Sequence, residues 1–305
     1  MLFPAPPRPK RILSLGAAVL DTIYRVDTIP TTPTKVLSLD CMQMGSGMAS
    51  SAASAAAKLG AHARIWGRVG DDLAGRQYLA DLAAANVDVS QVRRVAGGHT
   101  AMSTILIDRA GQALVVSYYD PTLGQNADWL PLGEIASFDF VLADTRWPDG
   151  AAALLQAARA QTVPSLFDAD IAPPEVVARL LPLASNTVFS ESGLLQFTGA
   201  RDITQGLREA AKRGPGLMGA TAAERGFYWY DGVRVNHIPA LKVAAVDTLA
   251  AGDVFHGAFA LMLAEGHSIE AAARFACTAA SLKCARFGGR LGAPTRAEVE
   301  TALKT

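Results

Sequence analysis

The chain has 305 residues, 28 lysines and arginines balanced by 28 aspartates and glutamates, and a hydrophobic content of 50%. This composition excludes an intrinsically disordered chain, and the absence of a basic excess disfavours a nucleic-acid partner. Three cysteines and five histidines without metal-ligand spacing argue against a disulfide framework or a structural zinc site. With no secretory signal pattern and no run of ~20 apolar residues, we expect a cytoplasmic protein without a membrane partner.

The first part of the chain alternates between strand-like and helix-like segments. Arg11–Gly16 is compact, apolar and closed by glycine, which predicts a buried strand. Met48–Leu59 has small residues at helical spacing before Gly60, which predicts a helix able to approach a sheet or a ligand closely. His62–Trp66 is strand-like, and Asp72–Asn86 has helical periodicity.

Residues 99–119 have a different pattern. Thr104–Ile107 and Ala113–Tyr118 are rich in β-formers and flank Asp108–Gly111, which predicts a β-hairpin. We therefore expect a β excursion built from about residues 22–46 and 97–120.

From Phe138 onward, strand-like and helix-like segments alternate again, and the chain ends in two strong helical patterns over Asp253–Glu265 and Ser268–Arg286. Strands that alternate with helices predict an α/β fold, a doubly wound parallel sheet covered on both faces, here as one domain over residues 1–305. In such sheets ligands bind beyond the carboxyl ends of the strands.

The segment Val246–Leu263 is the most informative for chemistry. A strand-like run ends at Asp247-Thr248, and small residues then lead into a predicted helix at Asp253. The free amides and positive dipole of a helix N-terminus suit a phosphoryl group, and a carboxylate there can take a proton from an attacking hydroxyl. The alternative is that Asp253 is simply the helix N-cap.

The segment Asp247–Asp253, DTLAAGD, resembles the DTxGAGD signature of the ribokinase-like, or PfkB, carbohydrate kinases. Other matches follow in order along the chain: Gly16 with Asp21, Gly45-Ser46-Gly47 with Ser51 and Lys58-Leu59-Gly60, Gly67–Asp72 with Gly75, and Thr221–Gly226. Because these matches span nearly the whole chain in order, coincidence is a poor explanation.

The resemblance implies ATP-dependent phosphorylation of a sugar-like alcohol with Mg²⁺, and it leaves a monovalent cation open. It also implies a three-layer αβα domain in which the β excursion forms a lid over the site, and a homodimer. Asp253 would be the general base, and the amides of Ala250, Ala251 and Gly252 would form the anion hole.

The resemblance also assigns binding residues. Asp21, Gly47 and Ser51 would bind the sugar, although Asp21 could be a turn residue and the other two could serve helix packing. The nucleotide side would include Thr221, Ala223, Gly226, Thr248, Cys277 and Ser281. No residue is assigned as a metal ligand. Asp168 and Asp170 either organise Mg²⁺ or cap a helix before Pro173-Pro174, and we expect His256 to be a packing residue.

Within the family, several segments resemble the sulfofructose kinase branch more than the general motifs require. They are Val141–Ala151, Asp168–Pro173, Phe189–Gly199, Asp253–Ala258 and Leu282–Pro294. That branch places basic residues on a substrate sulfonate, which implies this role for Lys35 and Arg146. Both could instead be solvated surface charges.

Three departures from the family pattern bear on the nucleotide site. Ala250 and Ala223 stand where most relatives have glycine, and Ser190–Gly193 stands where many have NxxE. An alanine forced to positive φ costs ~1–2 kcal/mol. The leading hypothesis is a kinase for a ketose, including an anionic one. The alternatives are a neutral-sugar kinase similar to ketohexokinase or fructokinase, and a catalytically impaired sugar-binding homologue.

Overall fold

The computed structural model describes residues 8–304. The strands of this part of the chain are β1 (Arg11–Leu15), β2 (Val19–Arg25), β3 (Asp40–Ser46), β4 (His62–Gly70), β5 (Val87–Asp88), β6 (Val92–Val95), β7 (Ala101–Ile107), β8 (Ala113–Tyr118), β9 (Phe140–Ala143), β10 (Ser165–Ala169), β11 (Asn186–Ser190), β12 (Leu217–Thr221), β13 (Phe227–Tyr230) and β14 (Val235–Ile238). The α-helices are α1 (Met48–Lys58), α2 (Leu73–Ala84), α3 (Pro148–Ala160), α4 (Pro174–Leu180), α5 (Glu191–Thr198), α6 (Ile203–Ala211), α7 (Ala251–Ala264), α8 (Ile269–Cys284) and α9 (Arg296–Ala302).

The central sheet has the order β14-β13-β12-β11-β10-β9-β1-β4-β5, with β6 paired to β4. Every neighbouring pair from β12 across to β5 is parallel, and among the described strands of this central sheet only β12-β13 and β13-β14 are antiparallel. All four residues of β9 are buried, as expected for a strand covered on both faces. The predicted doubly wound α/β fold is confirmed.

Helices cover both faces of this sheet. Alternate residues of β1 serve the two faces, so that Leu13 and Leu15 belong to the core beneath α3–α6, whereas Ile12 belongs to the core beneath α1, α7 and α8. The helices and the sheet thus form three layers. None of the helices within residues 8–304 has the length and apolar content needed to cross a membrane.

A second, separate sheet has the strand order β3-β2-β7-β8. Its β7 and β8 are antiparallel, which confirms the predicted hairpin. The β2 and β7 strands are parallel neighbours although they are far apart in the chain, so residues on either side of α1 and α2 meet here. We call this four-stranded sheet the lid.

The start of α7 differs from the prediction. The helix begins at Ala251, not Asp253, and the residues before it form an irregular segment rather than a strand. Ala250 occupies the N-cap position in a left-handed conformation (φ 62°), and no side chain caps the helix. Asp253 therefore lies inside the first turn, and the alternative interpretation of Asp253 as the helix N-cap is wrong.

Small residues bring α1 and α7 together. A Cβ atom added at Gly257 would lie 2.2 Å from the carbonyl oxygen of Ala52, so the two helix backbones are almost in contact. The small-residue helix predicted from the sequence thus packs against α7, the helix that carries Asp253. This packing positions the amino end of α7 over the sheet.

Replacing Gly257 by alanine should force these two helices apart. We expect Gly257→Ala to lower the free energy of unfolding by about 1–3 kcal/mol, the usual cost of overpacking, measured by urea denaturation. Gly133→Ala is the matched control, because no atom lies within 4 Å of a Cβ added there. Equal stabilities of the two variants would contradict the close packing.

Candidate active site

The turn before α7 is held by one buried carboxylate. Asp247 Oδ1 accepts the Leu249 amide at 2.8 Å, and its Oδ2 accepts the amides of Gly288 and Gly289 at 2.9 and 2.8 Å. These bonds tie the turn to the loop after α8. The left-handed backbone at Ala250 then directs the chain into α7.

The amides at the start of α7 point out of the helix. The Ala251 amide donates to the Thr248 carbonyl at 3.2 Å, so this predicted anion-hole donor already serves the turn. Within residues 8–304, the amides of Ala250 and Gly252 have no hydrogen-bond acceptor. The helix start therefore presents unused donors and the positive end of its dipole to one point.

Asp253 lies in a strongly perturbed environment. Burial raises its pKa to about 8, and the negative charges of Asp170, Asp144 and Asp21 add to the increase. The Ser51 hydroxyl opposes it. The predicted base and two predicted sugar residues, Asp21 and Ser51, are thus brought together.

Asp21 is a buried residue in the middle of β2, one of the strands of the lid. Burial raises its pKa to about 6, against the opposing effects of the hydroxyls of Ser46 and Ser103 and the charge of Arg290. Ser103 is in turn bonded to Ser117 of β8 at 2.8 Å between the two Oγ atoms. A polar surface of the lid therefore faces the sheet edge beside Asp253.

Asp144, which the sequence reasoning missed, organises the backbone around this site. Its Oδ2 accepts the amides of Ala17 and Ala49 at 2.8 and 3.0 Å, and its Oδ1 accepts the Arg146 amide at 2.8 Å. Gly47 fits beside it with φ 109°, where a Cβ would lie 2.4 Å from the Ala17 carbonyl oxygen. The position of Asp144 directly after the strand-like segment that forms β9 could have identified it, because ligands bind beyond the carboxyl ends of such strands.

Arg290 is a second residue that sequence reasoning missed. Its guanidinium is buried, donates to the Gly45 carbonyl and to Ser54 Oγ, and lies close enough to Asp21 to oppose the rise of its pKa. It therefore fixes the strand end at Gly45 against α1. Because its partners lie more than 230 residues away, no local pattern reveals it.

The two predicted basic specificity residues have different surroundings. Arg146 follows β9, donates to the Ile171 carbonyl at 3.2 Å and lies 3.8 Å from a carboxylate oxygen of Asp170. Asp170 raises the pKa of both Asp253 and Asp168, and Arg146 opposes the rise of the pKa of Asp168. Lys35 is exposed in the loop between β2 and β3, and no hydrogen bond or ion pair joins it to the other candidates within the described residues.

Asp168 does not cap a helix. It lies buried in β10, whereas α4 begins at Pro174 behind Pro173, so the capping interpretation is wrong. Its Oδ2 lies 3.2 Å from Nδ1 of His256. Burial raises the pKa of Asp168 well above its ordinary value and lowers that of His256 to about 4, so burial disfavours the charged form of both groups.

On the other side of the α7 start is a cleft of about 650 Å³. All six residues predicted for the nucleotide line it: Thr221, Ala223, Gly226, Thr248, Cys277 and Ser281. Its walls are mostly apolar, and its size lies in the range of small-molecule sites. Burial raises the pKa of Cys277 to about 12, which leaves a neutral thiol and agrees with a wall residue rather than a nucleophile.

The loop after β12 forms one rim of this cleft. Ala223 has φ 47°, and Gly226 has φ 92° in a place where a Cβ would lie 2.1 Å from the Ile238 carbonyl oxygen. Glu191, the residue standing in the variant NxxE segment, is paired with Arg225 of the same loop. Both alanines that replace family glycines, Ala223 and Ala250, are therefore in left-handed conformations.

The arrangement can hold a phosphate between two compartments. The helix start lies between the apolar cleft, which contains Gly252, and the acidic side chains of Asp21 and Asp253, whose surroundings we call the acidic compartment. Within residues 8–304 there is no group of three or more His, Cys, Asp or Glu side chains that could hold a metal ion.

Known proteins share this architecture. Residues 9–296 match the family description "pfkB family carbohydrate kinase". The ribokinase of Bacillus subtilis (strain 168) is 30% identical over 304 residues, covering 96% of this chain and 99% of that protein. The ketohexokinase of Mus musculus is 27% identical, covering 92% and 97%.

Solved structures agree with these sequence matches. An Agrobacterium tumefaciens protein, described provisionally as a ribokinase, superposes with a TM-score of 0.94 at 43% identity, covering 97% of this chain and 98% of that one. The ribokinase of Arabidopsis thaliana complexed with ribose and ATP has a TM-score of 0.84 at 22% identity, covering 97% and 99%. The second likeness concerns the fold alone.

The strained backbone at Ala250 can be tested by substitution. Ala250→Gly should raise the free energy of unfolding by about 0.5–1 kcal/mol, because relief of the left-handed strain exceeds the added entropy of the unfolded chain. Ala251→Gly, one residue along in helical backbone, should lower it by about 0.5–1 kcal/mol. Urea denaturation of both variants measures the difference, and a destabilised Ala250→Gly would refute the left-handed turn.

Proposed function

The chain belongs to the pfkB family of carbohydrate kinases and is a sugar kinase, and we propose that it transfers the γ-phosphoryl group of ATP to a sugar hydroxyl with Asp253 as general base. The observation that carries this proposal is the position of Asp253, whose pKa responds to Asp21 while the adjoining Gly252 lines the apolar cleft. The neighbouring residues Gly252 and Asp253 thus lie at the apolar cleft and at the acidic compartment, respectively.

In the proposed reaction, the sugar hydroxyl oxygen forms a bond to the γ-phosphorus as the bond to the β–γ bridging oxygen breaks. Asp253 takes the hydroxyl proton, and ADP leaves with the bridging oxygen. The free amides of Ala250 and Gly252 and the α7 dipole stabilise the charge on the transferred group. Asp21 orients the sugar by accepting hydrogen bonds from its hydroxyl groups.

The nucleotide would occupy the 650 Å³ cleft, with its base against the apolar walls formed by Cys277 and Phe255. Mg²⁺ would neutralise the phosphates. Because Mg²⁺ is commonly held by nucleotide phosphates, water and one or two carboxylates, the absence of a three-ligand cluster among the described residues fits it. Asp170, beside Asp253, is the carboxylate best placed to contribute.

For the sugar, we favour a ketose with an anionic substituent. Arg146 lies beside the acidic compartment, and its 3.8 Å separation from Asp170 is too long for a hydrogen bond, so a substrate anion could replace that contact. The exposed position of Lys35 does not support a second basic contact. The similarity to a ribokinase favours the second candidate, a neutral sugar, and the sulfofructose kinase branch stays a prediction.

We also propose that residues 1–305 act as one cytoplasmic kinase domain and that the chain dimerises through the lid. All six residues of the edge strand β8 are exposed, among them Leu114, Val115 and Val116. Unpaired strand edges with apolar side chains usually need a cover, and a second lid offers the same chemistry.

The role of Asp253 predicts a specific pH dependence. A carboxyl group with a pKa of about 8 is protonated at neutral pH, and only the ionised form accepts a proton, so kcat/KM should rise with pH up to about 8 and then level. Asp253→Asn should lower kcat by at least ~100-fold and retain sugar binding, measured by ADP release and calorimetry.

Asp202→Asn is the matched control, because Asp202 caps α6 away from the site and asparagine caps equally well. It should leave kcat and the pH profile unchanged. A flat profile from about pH 6 to 9, or turnover by Asp253→Asn close to that of the control, would exclude the base role.

The substrate class can be tested with ribose, fructose, 6-deoxy-6-sulfofructose and fructose 6-phosphate. If Arg146 binds an anion, Arg146→Ala should lower kcat/KM for the charged ketoses by at least ~10-fold and for the neutral sugars by less than about threefold. Arg159→Ala, on the last turn of α3, is the control. An equal loss for all four sugars would point to the neutral-sugar alternative.

A further inference from the structure

Lys283, near the end of α8, is completely buried, with 0% of its surface exposed. Its ammonium donates to the main-chain carbonyl oxygen of Asp247 at 2.6 Å and lies 3.2 Å from Oδ2 of the same residue. A fully buried lysine is rare because removing its charge from water is costly, and burial lowers its pKa here. Its position therefore calls for an explanation.

The charge states at this contact follow from the hydrogen bonds. Asp247 is fully buried, its carboxylate accepts the amides of Leu249, Gly288 and Gly289, and the ammonium of Lys283 lies 3.2 Å from Oδ2. Three N–H donors and a nearby ammonium group all stabilise the charged form of a carboxyl group. The ammonium of Lys283 is therefore the counter-ion of a buried carboxylate.

This ion pair lies directly beneath the proposed anion-binding turn. Asp247 fixes Leu249 through its carboxylate, and the amides of Val246 and Asp247 both bond to the Cys284 carbonyl, next to Lys283. The Ala250 and Gly252 amides follow within a few residues. Loss of the Lys283 ammonium would leave the buried negative charge of Asp247 unpaired, next to the turn that we propose binds the phosphate.

We propose that Lys283 is a positioning residue that acts as a resident monovalent cation, so that phosphoryl transfer by this chain needs no added potassium or ammonium ion. The proposal rests on the kinase function above. The monovalent cation that the family resemblance left open does not fit at Asp247, since its carbonyl oxygen and Oδ2 already face an ammonium group. The positive charge is supplied by the chain itself.

The unmodified protein gives the first test. After exhaustive dialysis, initial rates are compared in potassium chloride and tetramethylammonium chloride at equal ionic strength and saturating Mg²⁺. We expect kcat and the KM for ATP to differ by less than about twofold between the two salts, because potassium cannot bind at a position that the Lys283 ammonium already occupies. Activation by potassium of more than about tenfold would overturn the proposal.

The second test removes the ammonium. Lys283→Ala leaves space for a small cation beside Asp247, so kcat should fall by at least ~10-fold in tetramethylammonium and be partly restored by potassium, ammonium or methylammonium. Lys283→Met, which fills the space without a charge, should lose activity and not be rescued. Lys212→Met is the matched control, as this lysine forms an exposed ion pair with Glu209.

Thermal unfolding gives a readout that does not depend on catalysis. Potassium and ammonium should raise the Tm of Lys283→Ala relative to tetramethylammonium, and should leave the Tm values of the unmodified chain and Lys212→Met unchanged. Absence of cation-specific rescue in both rate and Tm would reduce Lys283 to a merely structural residue. If the unmodified chain transfers no phosphate, the kinase proposal fails, while the Tm comparison still decides the cation proposal.

Discussion

Carboxyl groups crowd together at the carboxyl edge of the central sheet, and the rest of the site follows from how the fold contains their repulsion. Asp144 accepts hydrogen bonds from backbone amides, Asp168 lies beside His256, and Asp247 is paired with Lys283. The pKa of Asp253 is raised because the carboxyl group is buried and because its neighbours are acidic. The cost of this crowding is balanced by the α7 dipole and, when ligands bind, by cations and polar hydroxyls.

Two alanines at the candidate site adopt a backbone conformation that is unfavourable for residues other than glycine. Ala223 and Ala250 adopt left-handed conformations at the two turns that border the cleft. Turns of this shape aim successive amides at one point, and the rigid elements on either side keep them in place. The strain is therefore compatible with the proposed phosphate site and does not argue against it.

Much of the architecture could be predicted from local patterns. The parallel sheet, the hairpin of the lid and the cleft-lining positions such as Thr221 and Cys277 follow from periodicity and motif resemblance, since those signals lie in short segments. The start of α7 could not be placed, because Ala250 has no side chain that marks a cap and its left-handed backbone is imposed by tertiary bonds. Lys283 was missed for a related reason: its partner lies 36 residues earlier in the chain.

The contact between α1 and α7 also has a consequence for how the protein is made. Asp21 and Gly47 emerge from the ribosome well before Asp253 and Lys283, so a nascent chain holds only half of the candidate site for much of its synthesis. Contacts of such long sequence separation are slow to form, because the intervening loop must close first. Until the last helices are released, α1 exposes the apolar stripe that α7 will cover, and this half-built intermediate is the stage at which chaperones would find most to bind.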